Sequence, residues 1–251
     1  MTTIASLTDT IGAIPITLSS QAEVVAKKRY FLKNDSNEVV EDAPAMFRRV
    51  ADAIASVEKQ YGKLDIDVSL TSNEFYTIMS NLDFVPNSPT LMNAGTKQGT
   101  LSACFVLPLE DSMEGIMKAA HDTAMVQKFG GGTGFALSNL RPKGDRIKTT
   151  HGISCGPIEV LKTLSRVSSM ITQGGKRDGA NMAVMDIHHP DILEFINCKA
   201  VEGEIHNFNI SVGVTDDFMK AVKAGTNYPL INPRTKEIVE ELDARDVFSK
   251  I

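Results

Sequence analysis

The amino-acid sequence predicts an α/β protein: a mainly helical region over residues 1–82, then alternating strands and helices over 83–251. Three observations carry this. Between 41 and 62, Phe47, Val50, Ile54, Val57 and Tyr61 recur at helical spacing. From Pro86 onward, short apolar runs alternate with amphipathic stretches. Glycine-rich segments, "FGGGTG" and "TQGGKRDGA", stand directly before two of the apolar runs. Such alternation indicates βαβ units and a parallel sheet, in which ligands gather at strand ends, where glycine-rich loops lie.

The elements follow in order. Residues 1–19 are rich in Thr, Ser and Ile without clear periodicity and read as an arm. "AEVVAKKRYFLK" makes a short helix. "EDAPAMFRRVADAIASVEKQYG" makes a stronger one, with Pro44 in its first turn and Gly62 as its stop. A further helix is expected over Ser72–Leu82. "SACFVLPL" is an apolar strand, and "DSMEGIMKAAHDTAMVQKF" a helix capped by Asp111 or Ser112. "GGGTGFALSNL" enters a strand. Pro157–Ile171 is a helix with Ile158, Leu161, Leu164, Ser168 and Ile171 on one face. "NMAVMDI" is a strand, His189–Cys198 a helix with His189 as N-cap, and "HNFNISVGV" a strand. "TDDFMKAVKAG" is a helix that Thr215 caps and Gly225 stops, and "DARDVFSKI" reads as helical.

Whole-chain properties exclude several classes. With 42% hydrophobic and 23% charged residues, 251 residues can bury a real core. The formal net charge of −5 argues against general nucleic-acid binding, so any phosphate site is local. No run approaches the roughly 20 apolar residues of a membrane span. Cys104, Cys155 and Cys198 are an odd set without C-x-x-C spacing, which suits a reducing, cytoplasmic compartment better than a disulfide scaffold or zinc site. The five histidines form no metal site by spacing, so no metal ligand is expected. The Met-rich character, 11 in all, reads as core filling.

The segment from Gln173 to Ala183 is the most suggestive. Gln173, Lys176, Arg177 and Asn181 are hydrogen-bond donors on a backbone that glycine lets approach a ligand closely. A solvated strand-entry turn is the plainer reading of the same residues.

Five segments in order, "VPNSPTLMNAG", "LSACFVLPLEDSMEGI", "KFGGGTGFALSNLRPKGD", "QGGKRDGANMAVMDIHHPDILEFI" and "FNISVGVTDDFM", resemble the large catalytic chain of ribonucleotide reductases. The likeness is greatest to the adenosylcobalamin-dependent class II branch, and it spans nearly the whole chain from "RYFLK". The resemblance implies a helical N-terminal region followed by about half of the family's ten-stranded α/β barrel. It also implies a part in reducing ribonucleotides to deoxyribonucleotides for DNA synthesis, with adenosylcobalamin as cofactor.

Residue by residue, the resemblance makes Cys104 one of two thiols that close into a disulfide during reduction. A lone Cys in an apolar strand is otherwise most often inert core. Ser88, Ser102 and Ala103 take substrate-facing positions, Ser88 toward the substrate phosphate, although "PNSP" reads equally as a turn. Asp111 and Ser112 fall at the effector site, with Asp111 accepting from the effector ribose. Arg141, thirty residues on, meets the effector phosphates, with Lys143 and Arg146 as helpers. Without the resemblance, Asp111 is a helix cap and Arg141 a surface arginine. The 173–183 segment matches the loop that relays effector identity to the substrate site. Cys155 and Cys198 match nothing catalytic.

One departure stands out. The radical-bearing cysteine of the family lies in an Asn-x-Cys-x-Glu motif, and no such motif occurs in these 251 residues. The chain is therefore expected to be the N-terminal part of a reductase. It would work with a complementary C-terminal chain, a ribonucleotide substrate, a nucleoside triphosphate effector, a thioredoxin-like reductant and a second copy of itself. Two alternatives remain: a class I large chain with an iron-dependent radical partner, disfavoured by the absence of an ATP-cone pattern, and a nucleotide-binding regulatory module without catalysis.

Overall fold

A computed structural model describes residues 16–97, 100–147, 151–173, 177–200 and 203–251, with the backbone alone at 172–173 and 177–178. Its contacts divide the chain into two compact units that meet at Ala103/Cys104. The helical unit thus runs past residue 82, because the helix that follows packs into the same core.

In the first unit, α1 (Ser20–Arg29) is capped by the Ser19 hydroxyl, and α2 (Ala43–Ala55) by Asp42, with Pro44 in its first turn. The buried face of α2 carries Met46, Phe47, Val50 and Ala51, which pack with Tyr76 and Met79 of α3 (Asp65–Ser80) and Leu91 of α4 (Ser88–Asn93). Arg49 on α2 forms a forked ion pair with Glu41, Nε to Oε1 at 2.7 Å and Nη2 to Oε2 at 2.9 Å. The same guanidinium donates to the carbonyls of Leu91 and Ala94, satisfying the end of α4.

Two expectations need correction here. The helical face does not continue to Val57 and Tyr61: α2 tightens into a 3₁₀ turn over Ser56–Tyr61, and both side chains rotate out, Tyr61 being 77% exposed. Gly62 does end the segment, in the left-handed conformation. α3 begins at Asp65 rather than Ser72, its first turn holding Asp65 and Asp67 where the helix dipole favours carboxylates.

The second unit is built on a four-stranded parallel sheet of β1 (Cys104–Val106), β2 (Gly132–Ala136), β5 (Asn181–Asp186) and β6 (Phe208–Gly213), in that order. α5 (Met113–Lys128) crosses from β1 to β2, and α6 (Pro157–Ser169) stands between β2 and β5. A short antiparallel pair, β3 (Thr172–Gln173) and β4 (Arg177–Asp178), separates α6 from β5. α7 (Ile192–Ile196) joins β5 to β6. It is shorter than expected, and His189 is not its N-cap. The buried His189 ring instead links the Leu140 carbonyl to the Asp191 N–H, which it accepts at 3.0 Å. α8 (Asp216–Ala224) has the expected Thr215 cap and left-handed Gly225 stop. The antiparallel hairpin β7 (Asn227–Ile231) and β8 (Ile238–Asp243) follows, then α9 (Ala244–Phe248).

Strand register gives this sheet two unlike faces. Thr133, Phe135, Asn181, Ala183, Met185 and Phe208 alternate toward α5 and α6 and are buried. Cys104, Val106, Met182 and Asn209 occupy the other face, all exposed, Val106 at 85%. No helix among the described residues covers that second face enough to bury it.

Candidate functional site

Three groups of expected site residues can be followed. Cys104 opens β1, aligned with Gly132 of β2, and its thiol lies on the open face of the sheet. It is a free thiol at an accessible strand end rather than inert core. Cys155 is also free and exposed, whereas Cys198 is buried and its thiol is pushed up by that burial, which keeps it neutral.

The residues expected to face a substrate lie in the first unit. Ser88 is the first residue of α4 and shares a 3.1 Å hydrogen bond with the Tyr30 hydroxyl. Asn87 caps that helix, its Oδ1 accepting from both the N–H and the hydroxyl of Thr90 at 2.9 Å. Ser102 is exposed and Ala103 half-buried.

The residues expected at an effector site show the closest convergence. Ser112, not Asp111, caps α5, accepting the Gly115 N–H at 3.0 Å. The Asp111 carboxylate is thereby left for Arg141, thirty residues away, whose Nε lies 2.9 Å from both carboxylate oxygens. The Arg141 N–H donates to the same carboxylate at 3.2 Å and Nη2 to the Asp111 carbonyl at 3.1 Å. The carboxylate raises the Arg141 pKa above its ordinary value, so the cation is fixed. Both side chains are only about a quarter exposed, at 21% and 25%. Arg141 is not a free surface arginine; one edge of its guanidinium is held, and Nη1 has no hydrogen bond among the described residues.

Lys143 and Arg146 are not brought into this pair. The Lys143 N–H donates to Asp191 at 2.9 Å and its ammonium lies 3.3 Å from Glu194 on α7. Arg146 is exposed, and its carbonyl accepts from Arg234 at 3.4 Å. Asp145 between them is braced by Asn232 and Arg234 from the β7–β8 turn.

The glycine-rich segment divides. Lys176 lies outside the described residues, as do the side chains of Gln173 and Arg177, whose backbones pair in β3–β4. Asn181 corrects an expectation: it is 3% exposed and faces the helices, not a ligand. Its Oδ1 accepts from Thr133 at 2.6 Å and Gln127 at 2.8 Å, and its Nδ2 donates to Ser168 at 2.9 Å. Neither Gln127 nor Thr133 was singled out from sequence. The signal was Thr123 and Gln127, two polar residues four apart on the buried side of α5. Among the described residues, no group of three His, Cys, Asp or Glu could hold a metal ion.

A fixed cation and carboxylate beside a capped helix start suit an anionic, hydroxyl-bearing ligand, and an accessible thiol at a strand end suits redox chemistry. Comparison with known proteins agrees in class. The model of the ribonucleotide reductase barrel domain matches residues 102–250, and that of the ribonucleotide reductase all-alpha domain matches residues 17–99. The chain belongs to the ribonucleotide reductase large-chain family. It is 41% identical to a vitamin B12-dependent ribonucleoside-diphosphate reductase of Thermoplasma acidophilum, over 93% of this chain and 38% of that protein. It is 42% identical to one of Mycobacterium tuberculosis, over 93% of this chain and 34% of the relative. A ribonucleoside-diphosphate reductase subunit alpha of Helicobacter pylori is 31% identical over 87% of the chain. The chain thus spans little more than a third of the length of the first two relatives.

Proposed function

We propose that the chain supplies the effector-binding part and one reducing thiol of a B12-dependent ribonucleoside-diphosphate reductase. The observation that carries this is the Asp111–Arg141 pair beside the capped start of α5, on the same unit as the exposed Cys104. In the proposed reaction the C2′–OH bond of the ribose breaks and the oxygen leaves as water. Two thiols, Cys104 and a second outside this chain, give two electrons and two protons and close into a disulfide. A thioredoxin-like reductant then reopens it. Ser88, Ser102 and Ala103 would face the substrate, and the unit that ends at Ala103 and the unit that starts at Cys104 would serve as helical region and barrel part.

At the effector site, Asp111 would accept from a ribose hydroxyl and Arg141 Nη1 would donate to phosphate, with Ser112 setting the helix start. Lys143 and Arg146 would add long-range positive charge only. Gln173, Lys176 and Arg177 would relay effector identity from the 173–183 segment.

Adenosylcobalamin, proposed from the names of the relatives, would supply the initiating radical. Cys104, Val106 and Met182, exposed on the open face, would offer it a thiol, an apolar and a thioether neighbour. A complementary C-terminal segment, a second copy of the chain and a cytoplasmic setting complete the proposal.

The test is deoxynucleotide formation from the four ribonucleoside diphosphates, with cobalamin and a dithiol, by this chain joined to a C-terminal segment bearing Asn-x-Cys-x-Glu. Disulfide-coupled turnover is expected and should vanish in Cys104→Ser. Turnover that survives Cys104→Ser would refute the assignment of the thiol.

A further inference from the structure

A polar knot lies against Gly179, and none of its members has a place in the proposed chemistry. Gln127, in the last turn of α5, is fully buried. Its Nε2 stands 2.8 Å from Asn181 Oδ1 and 3.1 Å from both Thr133 Oγ1 and Ser168 Oγ. Ser168 lies in the last turn of α6 and Asn181 opens β5, so the two ends of the 169–180 connection are tied to one side chain. Asn181 also donates to the Asn207 carbonyl at 3.3 Å, and Ile171 N–H donates to the Ser168 carbonyl at 3.1 Å.

The other end of the Gln127 amide differs. Its Oε1 is buried and has no hydrogen-bond partner among the described residues. Buried acceptors are nearly always satisfied, so an orphan in a knot this well connected calls for a partner. Gly179 supplies an independent sign. A Cβ there would fall onto Gln127 Oε1 and within 2.9 Å of Cδ and 3.2 Å of the Ser168 carbonyl. Only a glycine lets the backbone come this close to that oxygen.

We propose that Gln127 is the positioning residue of the approach to β5: its amide carbonyl is the acceptor for a main-chain N–H of residues 178–180. Residues 178–180 exchange between the arrangement described, in which the oxygen has no partner among the described residues, and one in which that hydrogen bond is made, and a bound effector favours the second. This rests on the reading of the 173–183 segment as the effector relay. It adds the point at which the relay is anchored to α5, the helix whose first turn Ser112 caps.

The test uses the complete reductase chain containing this segment and measures competitive reduction of four ribonucleotides under each nucleotide effector. The variants are Gln127→Met, which keeps length but removes the amide, Gly179→Ala, and Arg177→Ala as a control on the relay itself. Preference ratios are internal to each enzyme, so a loss of folded protein lowers all rates without moving them. Couplings of this kind correspond to about five- to 150-fold, and the ratios should fall toward unity in Gln127→Met and Gly179→Ala. Hydrogen exchange at residues 178–181 should slow on effector binding in the wild type and not in Gln127→Met. Intact ratios in both variants, with Arg177→Ala scrambled, would overturn the role of Gln127 alone. Intact ratios in all three would remove the relay reading. Effector-induced protection at 178–181 that persists in Gln127→Met would overturn the contact in either case.

Discussion

Arg141 offers three donor nitrogens and spends two of them on Asp111, which fixes the orientation of the third. Arg141→Ala is therefore expected to weaken nucleoside triphosphate binding by about 1.5–3 kcal/mol, roughly ten- to a hundredfold, measured by calorimetry. Unchanged affinity would remove Arg141 from the site. Tyr228 makes a second residue-level case. Its ring is buried against Phe218, its hydroxyl lacks a partner among the described residues, and burial pushes its pKa from 10.0 up to about 12. Because the folded value is the higher, its contribution to stability is complete below pH 10 and lost as pH rises toward about 12. The slope is at most about 1.4 kcal/mol per pH unit. Urea midpoints between pH 9 and 11.5 should fall less steeply in Tyr228→Phe, and parallel curves would refute the shift. At this scale the sequence was illegible where direction decides. Asn181 has a donor beside glycines, but strand parity turns it toward the helices, where Gln127, Thr133 and Ser168 engage it.

Among the elements, helices announced by caps and stops were read well. Thr215 and Gly225 bracket α8, and Pro157 opens α6. Where two caps competed, at Asp111 and Ser112, only the structure decides. Ser112→Ala should cost about 1 kcal/mol of stability in urea unfolding through loss of the Gly115 cap. Asp111→Asn should leave the cap intact and act on Arg141 instead; a larger loss of stability in Asp111→Asn would reverse the assignment. α3 was misplaced because Ile66 and Leu70 in its early turns face outward, 55% and 56% exposed, so apolar periodicity does not mark them. The β7–β8 hairpin escaped for a related reason: "IVEELD" is exposed along nearly its whole length and shows no alternation.

For the molecule as a whole, the prediction is that the purified 251-residue chain does not by itself make deoxynucleotides, checked by product analysis with cobalamin and a dithiol. Only Cys104 is proposed as a reducing thiol here, and disulfide formation needs a second sulfur brought to within about 2.05 Å of it. Thiol labelling of the native chain should modify Cys104 and Cys155 rapidly and Cys198 only on unfolding; equal rates at all three would contradict their burial. Strand–helix alternation and parallel pairing were legible from spacing, whereas the sheet face that carries Cys104 was not, since "SACFV" alternates without saying which side is covered. That sidedness separates two kinds of sequence change. Replacements at Phe135, Ala183 or Phe208 disturb close packing, and the folded population should shrink with them. Replacements at Cys104, Met182 or Asn209 touch little of the helix-packed interior, so an inactive variant there can still be abundant, monodisperse and cooperative in its melting. In a random library of the complete reductase chain containing this segment, inactive but well-expressed members should cluster on alternate positions of the same four strands, which makes the chemistry mappable without first solving the problem of folding.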